Sequence, residues 1–318
     1  RLSLLLSQTL AASMVPLCIS FAWSLVVMVG GECLDTSMLQ TQLLVYKRTP
    51  PLLHPWEVNN YVMAGYHKSG VEVSGKILAT MFLKLGVSQD EKGILQFPCY
   101  QWQRAEGRCY KVDAPIMFYI DSYNATYAHV EKAKSAAENK GLRVAVSVRN
   151  PMEMVASGYC YHHEGQESDN RMFNSTELVL LGPEEGTRRF AEQELFLVET
   201  MVNVIEHSDE NTMRLTYEDL TGSSSGFDAE IQRLMDHYFG VGPDALISME
   251  ERNEIATLLQ VQDLNRNPEA DMTWNRHGTL RNHSTDGGCK EMARNAMKSW
   301  SNTMLYKKYE ELAERLGY

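Results

Sequence analysis

From residue 61 to the end of the chain, short apolar runs alternate with segments whose apolar residues recur at helical spacing. The short runs, which predict strands, are Tyr61–Ala64, Ile116–Ile120, Leu142–Val148 and Met213–Tyr217. The segments that predict helices are Val71–Leu85, Ala125–Asn139, one opened by Asn150 and Pro151, Pro183–His207, Phe227–Phe239, Met249–Gln260 and Gly288–Leu316. Because such alternation is typical of βα units, we predict an α/β fold with a parallel sheet flanked by helices on both faces. Sheets of this kind bind ligands at the carboxyl ends of their strands.

The first 31 residues form a separate segment by composition. No charged residue occurs from Leu2 to Gly31, and Met14–Val29 is almost wholly apolar. An uncharged apolar stretch of about 18 residues or more predicts a membrane span, so we interpret residues 1–31 as a signal anchor. A cleaved signal sequence and a buried core helix are the alternatives. Residues 32–58 then form a stem, which the prolines of TPPLLHP keep irregular, and residues 59–318 form the α/β domain.

Charge and cysteine usage narrow the setting of this domain. The formal net charge of −11 argues against a nucleic-acid partner, because binding a phosphate backbone needs a basic face. Cys99 and Cys109 bracket a short loop that a disulfide could close, as expected in an oxidising secretory compartment, whereas Cys33, Cys160 and Cys289 stay unassigned. Three glycosylation triplets agree with that compartment and begin at Asn124, Asn174 and Asn282.

The stretch GYHKSGVEVSGK, residues 65–76, leaves a predicted strand and enters a predicted helix, where proteins often hold anions. It can be aligned in two registers. In one register, Gly70–Lys76 matches the opening of a nucleotide-triphosphate loop, but Ile77 stands where that motif needs a hydroxyl to hold magnesium. In the other register, Tyr66–Gly70 is the loop, and the N–H groups at the start of the next helix bind the anion beside Lys68.

A second polar block, RNPMEMVASGYCYHH, follows the central predicted strand at residues 149–163. Arg149 ends the strand, and Ser157 lies two turns into the following helix. Both side chains can therefore donate to one phosphate from the same side. His162 and His163 near the end of that helix either contact a substrate or simply end the helix.

Together the two blocks resemble the cofactor motifs of sulfotransferases that use 3′-phosphoadenylyl sulfate (PAPS). The loop with Lys68, Ser69 and Gly70 is similar to the family's 5′-phosphosulfate loop, PKSGT, and the pair Arg149 and Ser157 to its 3′-phosphate block. The sequence LTYEDL, residues 215–220, resembles the segment whose tyrosine lies by the adenine, here Tyr217. The resemblance extends over about residues 61–282, and its last motif is a looser match to the family's RKG loop, formed by Arg276, His277 and Gly278.

The resemblance implies PAPS as cofactor, no metal, and transfer of a sulfuryl group to a hydroxyl or amine, with a glycan as the expected acceptor. The resemblance also implies a P-loop-like topology for the predicted sheet, with Lys68 stabilising charge on the leaving bisphosphate. Asp121, which follows Ile116–Ile120, is the expected base, and the alternative is that it only caps the next helix. The cofactor would be bound by Lys68, Ser69, Gly70, Val71, Glu72, Arg149, Ser157, Tyr217, Arg276, His277 and Gly278.

Val71 and Glu72 depart from the family, which has two hydroxyl residues at these positions. They therefore leave open a sulfotransferase-fold binding protein without catalysis, and the first loop register leaves open a P-loop kinase using Mg-ATP. By resemblance to anchored sulfotransferases, we expect a single-pass Golgi membrane protein with its sulfotransferase domain, residues 59–318, in the lumen.

Overall fold

A computed structural model of the chain describes residues 17–20, 24–29, 32–33, 53–87, 116–120, 131, 134, 137, 140–165, 175–274, 280–282 and 287–318. The chain divides into two compact units, Arg1–Leu52 and Leu53–Tyr318.

The first unit contains a small antiparallel sheet in the order β1-β2-β3. Its strands are β1 (Leu17–Ser20), β2 (Ser24–Val29) and β3 (Glu32–Cys33). The described parts of the predicted span Met14–Val29, residues 17–20 and 24–29, are the paired strands β1 and β2. Within the described ranges, no helix combines the length and the apolar character needed to cross a membrane.

The second unit is built on a parallel sheet with the strand order β5-β4-β6-β7. Its strands are β4 (Asn59–Gly65), β5 (Ile116–Ile120), β6 (Gly141–Val148) and β7 (Thr212–Thr216). The four predicted strands and the predicted parallel sheet are confirmed. Gly65 pairs with Ile120, and Val148 pairs with Thr216, so the chain leaves all these strands at one edge.

Helices cover both faces of the sheet, as predicted. In chain order they are α1 (Pro55–Val58), α2 (Val71–Lys84), α3 (Pro151–His163), α4 (Ser175–Leu180), α5 (Pro183–Glu206), α6 (Tyr217–Gly222), α7 (Ser224–Phe239), α8 (Met249–Leu259), α9 (Gly287–Met297) and α10 (Met304–Arg315). Short 3-10 turns occur at Gly242–Asp244, Gln260–Gln262, Pro268–Asp271 and Lys298–Trp300, and a two-stranded ribbon pairs β8 (Met272–Trp274) with β9 (Leu280–Asn282).

Two apolar cores lie on the two sides of the sheet, because side chains alternate along each strand. Val62 and Val146 pack with α3, α5, α9 and α10 on one side. Met63 and Ala145 pack with α2, α7 and α8 on the other. Burial on both faces is the physical reason why β4 and β6 are continuous apolar runs.

The predicted last helix, Gly288–Leu316, is wrong in one respect, since it is broken into α9 and α10. Thr303 accepts a hydrogen bond from the Tyr306 N–H (3.2 Å) and so caps a new helix after the turn Lys298–Trp300. The predicted helix Ala125–Asn139 lies mostly outside the described residues.

Candidate functional site

The loop Tyr66–Gly70 joins the end of β4 to the start of α2 and is closed by its own hydrogen bonds. The Tyr66 N–H donates to Ser69 Oγ (2.9 Å), and the Ser69 N–H donates to Tyr66 O (2.9 Å). The turn places Lys68 and Gly70 in left-handed conformations, with φ of 61° and 96°. Lys68 is not a residue type that adopts this region readily, so the surrounding contacts must fix it.

The start of α2 presents backbone N–H groups to this loop. The first bond of the helix runs from the Ser74 N–H to Gly70 O (2.9 Å), so the N–H groups of residues 71–73 lie ahead of it. Free N–H groups and the positive end of the helix dipole attract anions. Val71 contributes backbone alone, because its side chain packs back toward Gly65.

The other register does not form a phosphate loop in this structure. Residues 71–76 of the GxxxxGK match are already helical within α2. The Lys76 side chain donates to the carbonyl of Ala270, in the turn Pro268–Asp271, which is remote in sequence from the loop. A lysine held in this way does not cap a phosphate-binding turn.

Strand β6 brings Arg149 to the loop, because β6 lies directly beside β4. Arg149 Nη1 donates to Lys68 O (3.0 Å), and Ser147 Oγ, two residues earlier, donates to Ser69 O (2.5 Å). Arg149 is 6% exposed, and no residue in the described ranges bonds to its buried Nε. A buried donor of a charged group without a partner is costly, and an anion would satisfy it.

Tyr217 completes the group from the adjacent strand, since α6 starts directly after β7. Its ring lies 4.2 Å from the Arg149 guanidinium carbon, which is a cation–π contact. A Cβ on Gly70 would come within 2.6 Å of the Tyr217 ring. Glycine is therefore required at position 70 by this contact as well as by its positive φ.

Helix α3 begins as predicted, with the Asn150 side chain accepting from the Met152 N–H (2.9 Å) and Pro151 in its first turn. Glu218 of α6 accepts from the Asn150 N–H (2.9 Å) and so ties the start of α3 to the residue after Tyr217. Ser157 is buried two turns along α3. The loop, Arg149 and Tyr217 are thus in direct contact.

A buried polar group that the sequence did not predict lies against the same loop. His67 Nδ1 lies 3.2 Å from Glu194 Oε2 of α5, and His67 Nε2 lies 3.3 Å from His162 Nε2 of α3. The Lys68 ammonium lies 3.1 Å from the centre of the Tyr161 ring. The two histidines were visible in the sequence, but Glu194 is 127 residues from His67 and no local pattern relates them.

Helix α3 is fastened to α9 by a covalent and an ionic contact. Cys160 and Cys289 form a disulfide, and Arg294 donates two hydrogen bonds to the Glu153 carboxylate (2.6 and 2.7 Å). Hydrogen bonding from Arg294 holds the pKa of Glu153 below its ordinary value. The sequence left both cysteines unassigned, because residues 129 apart can pair only through the tertiary fold.

Several predicted site residues lie outside the described residues. These are the expected base Asp121 and the motif Arg276, His277 and Gly278. The predicted Cys99–Cys109 disulfide and the predicted glycosylation sites Asn124 and Asn174 also lie outside the described residues. Asn282 is the last residue of β9.

No protein-family model matches the sequence, and a search of curated proteins finds no match. Among solved structures, the chain is similar to a mouse sulfotransferase complexed with PAP, at 13% identity and a TM-score of 0.43, with 92% of this chain and 94% of that chain covered. It is also similar to retinol dehydratase in complex with androsterone and inactive cofactor PAP (12% identity, 92% and 89% covered, TM-score 0.39). A third similar structure is the sulfotransferase domain of the Synechococcus PCC 7002 olefin synthase (13% identity, 85% and 98% covered, TM-score 0.31).

Proposed function

We propose that this chain is a PAPS-dependent sulfotransferase that transfers a sulfuryl group to a hydroxyl or amine acceptor. The observation that carries the proposal is the contact group formed by Lys68, Gly70, Arg149 and Tyr217 at one edge of the sheet. It combines helix N–H groups, two cations and an aromatic ring. That combination suits a nucleotide that carries anionic groups at two positions.

The donor set fits the proposed cofactor. The loop residues Lys68, Ser69 and Gly70 and the N–H groups of Val71 and Glu72 would hold the 5′-phosphosulfate end, by the anion affinity of a helix N-terminus. Arg149, whose buried Nε has no partner among the described residues, would hold the 3′-phosphate with Ser157. Tyr217 would lie by the adenine. The motif Arg276, His277 and Gly278 would contribute to the 3′-phosphate site by its resemblance to the family.

When bound, PAPS supplies the activated sulfuryl group. Lys68 would stabilise the negative charge that grows on the phosphate side as the bond to sulfur breaks, as preorganised cations do in phosphoryl and acyl transfer. Its ammonium is kept beside the Tyr161 ring, so the charge is already close to the loop. Asp121 follows β5, which pairs with β4 up to Gly65 and Ile120, and we assign it the proton of the acceptor.

A competition of ligands tests the assignment. PAP, the product that PAPS leaves after sulfuryl transfer, should raise the melting temperature of the protein as much in EDTA as in magnesium. The reason is that the N–H groups of α2 and the Lys68 and Arg149 cations would bind its anionic groups directly. Adenosine 5′-monophosphate, which lacks the 3′-phosphate, is the matched control and should stabilise less. Stabilisation by Mg-ATP alone would overturn the proposal in favour of a kinase.

A non-catalytic binding protein is the second candidate, and Glu72 in the first turn of α2 is the observation that favours it. A carboxylate near the anion position weakens the site for a negatively charged donor. Binding of PAP without any transfer from PAPS to a panel of hydroxyl, amine and glycan acceptors would support this candidate.

We also propose that the protein is a single-pass Golgi membrane protein. In this arrangement residues 1–31 are a signal anchor, residues 32–58 a stem and residues 59–318 a luminal sulfotransferase domain that acts on glycans. The apolar stretch Met14–Val29 supports the anchor, and the disulfide Cys160–Cys289 supports an oxidising lumen. After expression in a eukaryotic host, the protein should resist carbonate extraction and carry glycan on at least one of Asn124, Asn174 and Asn282. A soluble product without glycan would contradict this topology.

A further inference from the structure

Three ionisable side chains form a buried chain beneath the Tyr66–Gly70 loop. Glu194 and His162 are fully buried, and His67 is 5% exposed. The links are Glu194 Oε2 to His67 Nδ1 at 3.2 Å and His67 Nε2 to His162 Nε2 at 3.3 Å. His67, the middle member, is itself a loop residue and precedes Lys68, so the group reaches the place where the anion would bind.

This geometry makes the two histidines a unit that binds one extra proton. In the neutral pair, His67 donates from Nδ1 to Glu194 and accepts at Nε2 from His162. One added proton is accommodated if it enters at His162 Nδ1 while the Nε2 proton of His162 passes to His67 Nε2, so that His67 donates from both nitrogens and His162 accepts at Nε2. A second added proton would set two N–H groups against each other across 3.3 Å. The pair therefore titrates as one coupled group.

The charged neighbours act on this proton in opposite directions. Glu194 of α5 favours the imidazolium, whereas the Lys68 ammonium, seated on the Tyr161 ring that lies edge-on to His162, opposes it. Two buried tyrosines nearby, Tyr66 of the loop and Tyr309 of α10, remain neutral because burial raises the pKa of each. Phe190 of α5 packs against both imidazoles and keeps the surroundings apolar.

We propose that the His67–His162 pair takes up a proton when an anion binds in the Tyr66–Gly70 loop, and that both act as positioning residues for the sulfuryl donor. The inference rests on the proposed function. An anion offsets the Lys68 charge and attracts the new imidazolium, so binding raises the proton affinity of the pair. By linkage, the proton must strengthen anion binding by the same factor.

Calorimetric titration of PAP in buffers with different heats of ionisation measures this proton directly. At about pH 7, near the ordinary range of histidine, the wild-type protein should take up a substantial fraction of one proton for each PAP bound. Glu194→Gln removes the charge that favours the imidazolium, and His162→Gln removes half of the pair. Each substitution should lower the proton uptake by at least half. The phosphates of PAP contribute equally in every protein, so a difference in uptake between proteins reports on the histidine pair.

His163→Gln is the matched control. His163 is the next residue of α3, and its Nδ1 contacts Leu178 O (3.0 Å) away from the chain. The His163→Gln protein should take up as many protons per PAP bound as the wild-type protein. If all four proteins bind PAP with the same proton uptake, this inference is wrong and the proposed function stands. If wild-type protein does not bind PAP, the proposed function fails and the inference fails with it.

The wild-type protein decides the matter if a variant does not fold. The phosphates of PAP complete their ionisation near pH 6, and their titration alone strengthens binding as the pH rises. The His67–His162 proton acts in the opposite direction, so PAP affinity should fall above about pH 7, by at most about tenfold per pH unit for one linked proton. A dissociation constant that stays flat or tightens from pH 7 to about 8.5, beyond the ordinary histidine range, overturns the inference.

Discussion

Replacement of Arg149 by alanine separates a ligand-binding role for this residue from a structural one. In the structure the guanidinium has three relationships: Nη1 bonds to Lys68 O, the plane lies 4.2 Å from the Tyr217 ring, and Nε is buried without a partner among the described residues. The first two support the fold of the loop. The third leaves a buried hydrogen-bond donor that a bound anion would satisfy.

These contacts contribute to two different quantities, the stability of the fold and the affinity for PAP. Loss of the hydrogen bond to Lys68 O and of the Tyr217 contact should lower the free energy of unfolding by about 1–3 kcal/mol. Loss of a charge-assisted bond to the 3′-phosphate should weaken PAP binding by about 1.5–3 kcal/mol, which is about 10- to 150-fold in the dissociation constant. Arg149→Lys keeps the charge and loses the fork, so we expect an intermediate affinity.

Isothermal titration of PAP in EDTA, with variants that retain a native melting transition, measures the affinity per folded molecule. Arg143→Ala is the control, because Arg143 lies at the opposite end of the same strand and donates to Asn211 Oδ1 (3.1 Å). It should bind PAP like wild type. If folded Arg149→Ala also binds PAP like wild type, Arg149 does not contact the cofactor and the site is misassigned.

Three further substitutions have distinct expected outcomes. Lys68→Ala should lower the rate of sulfuryl transfer by about 10²–10³-fold with little change in PAP affinity, because the charge it meets grows in the transition state; an equal loss in both would contradict that role. Gly70→Ala adds a Cβ within 2.6 Å of the Tyr217 ring at a φ of 96°, so calorimetry should show weaker PAP binding and a lower melting temperature. Arg294→Gln removes the partner that lowers the pKa of Glu153, and a group with a lowered pKa stabilises the fold above its unfolded value and loses this effect as the pH falls. Urea titration should therefore show a deficit of about 0.5–1 kcal/mol at neutral pH that disappears near pH 3, and a deficit independent of pH would show another cause.

The strands and most of the helices were predictable because their signals are local. Val144, Val146 and Val148 are buried against one face of the sheet and Ala145 against the other, which leaves a continuous apolar run in the sequence. The break between α9 and α10 was missed for the opposite reason. The apolar spacing continues across this break. The end of α9 depends on two other contacts: Thr303 caps the new helix, and Trp300 Nε1 donates to Thr187 Oγ1 of α5 (3.2 Å).

The loop of the candidate site was predictable from residues 65–76, but its contacts were not. The chain order placed Arg149 and Tyr217 at strand ends, and the strand order β4-β6-β7 made them neighbours of the loop. That order is a property of the assembled sheet. The contacts of His67 with Glu194 and of Cys160 with Cys289 depend on helices that cross the same face of the sheet, so no spacing in the sequence reports them.

The departures from the sulfotransferase pattern at Val71 and Glu72 acquire a physical meaning in the structure. Val71 turns its side chain toward Gly65 and leaves its backbone N–H at the start of α2, so the loss of a hydroxyl there removes one donor without blocking the site. Glu72 stabilises the helix when no ligand is bound, because a carboxylate in the first turn interacts favourably with the helix dipole, by about 0.3–1 kcal/mol. The same interaction competes with a bound anion, which must use the same end of the dipole. The loop, however, is held in advance by Arg149, Ser147 and the His67 contacts, so little binding energy is needed to order it. A preordered loop can therefore compensate for an unfavourable carboxylate, and the proposed site does not need the family's two hydroxyl residues to bind its cofactor.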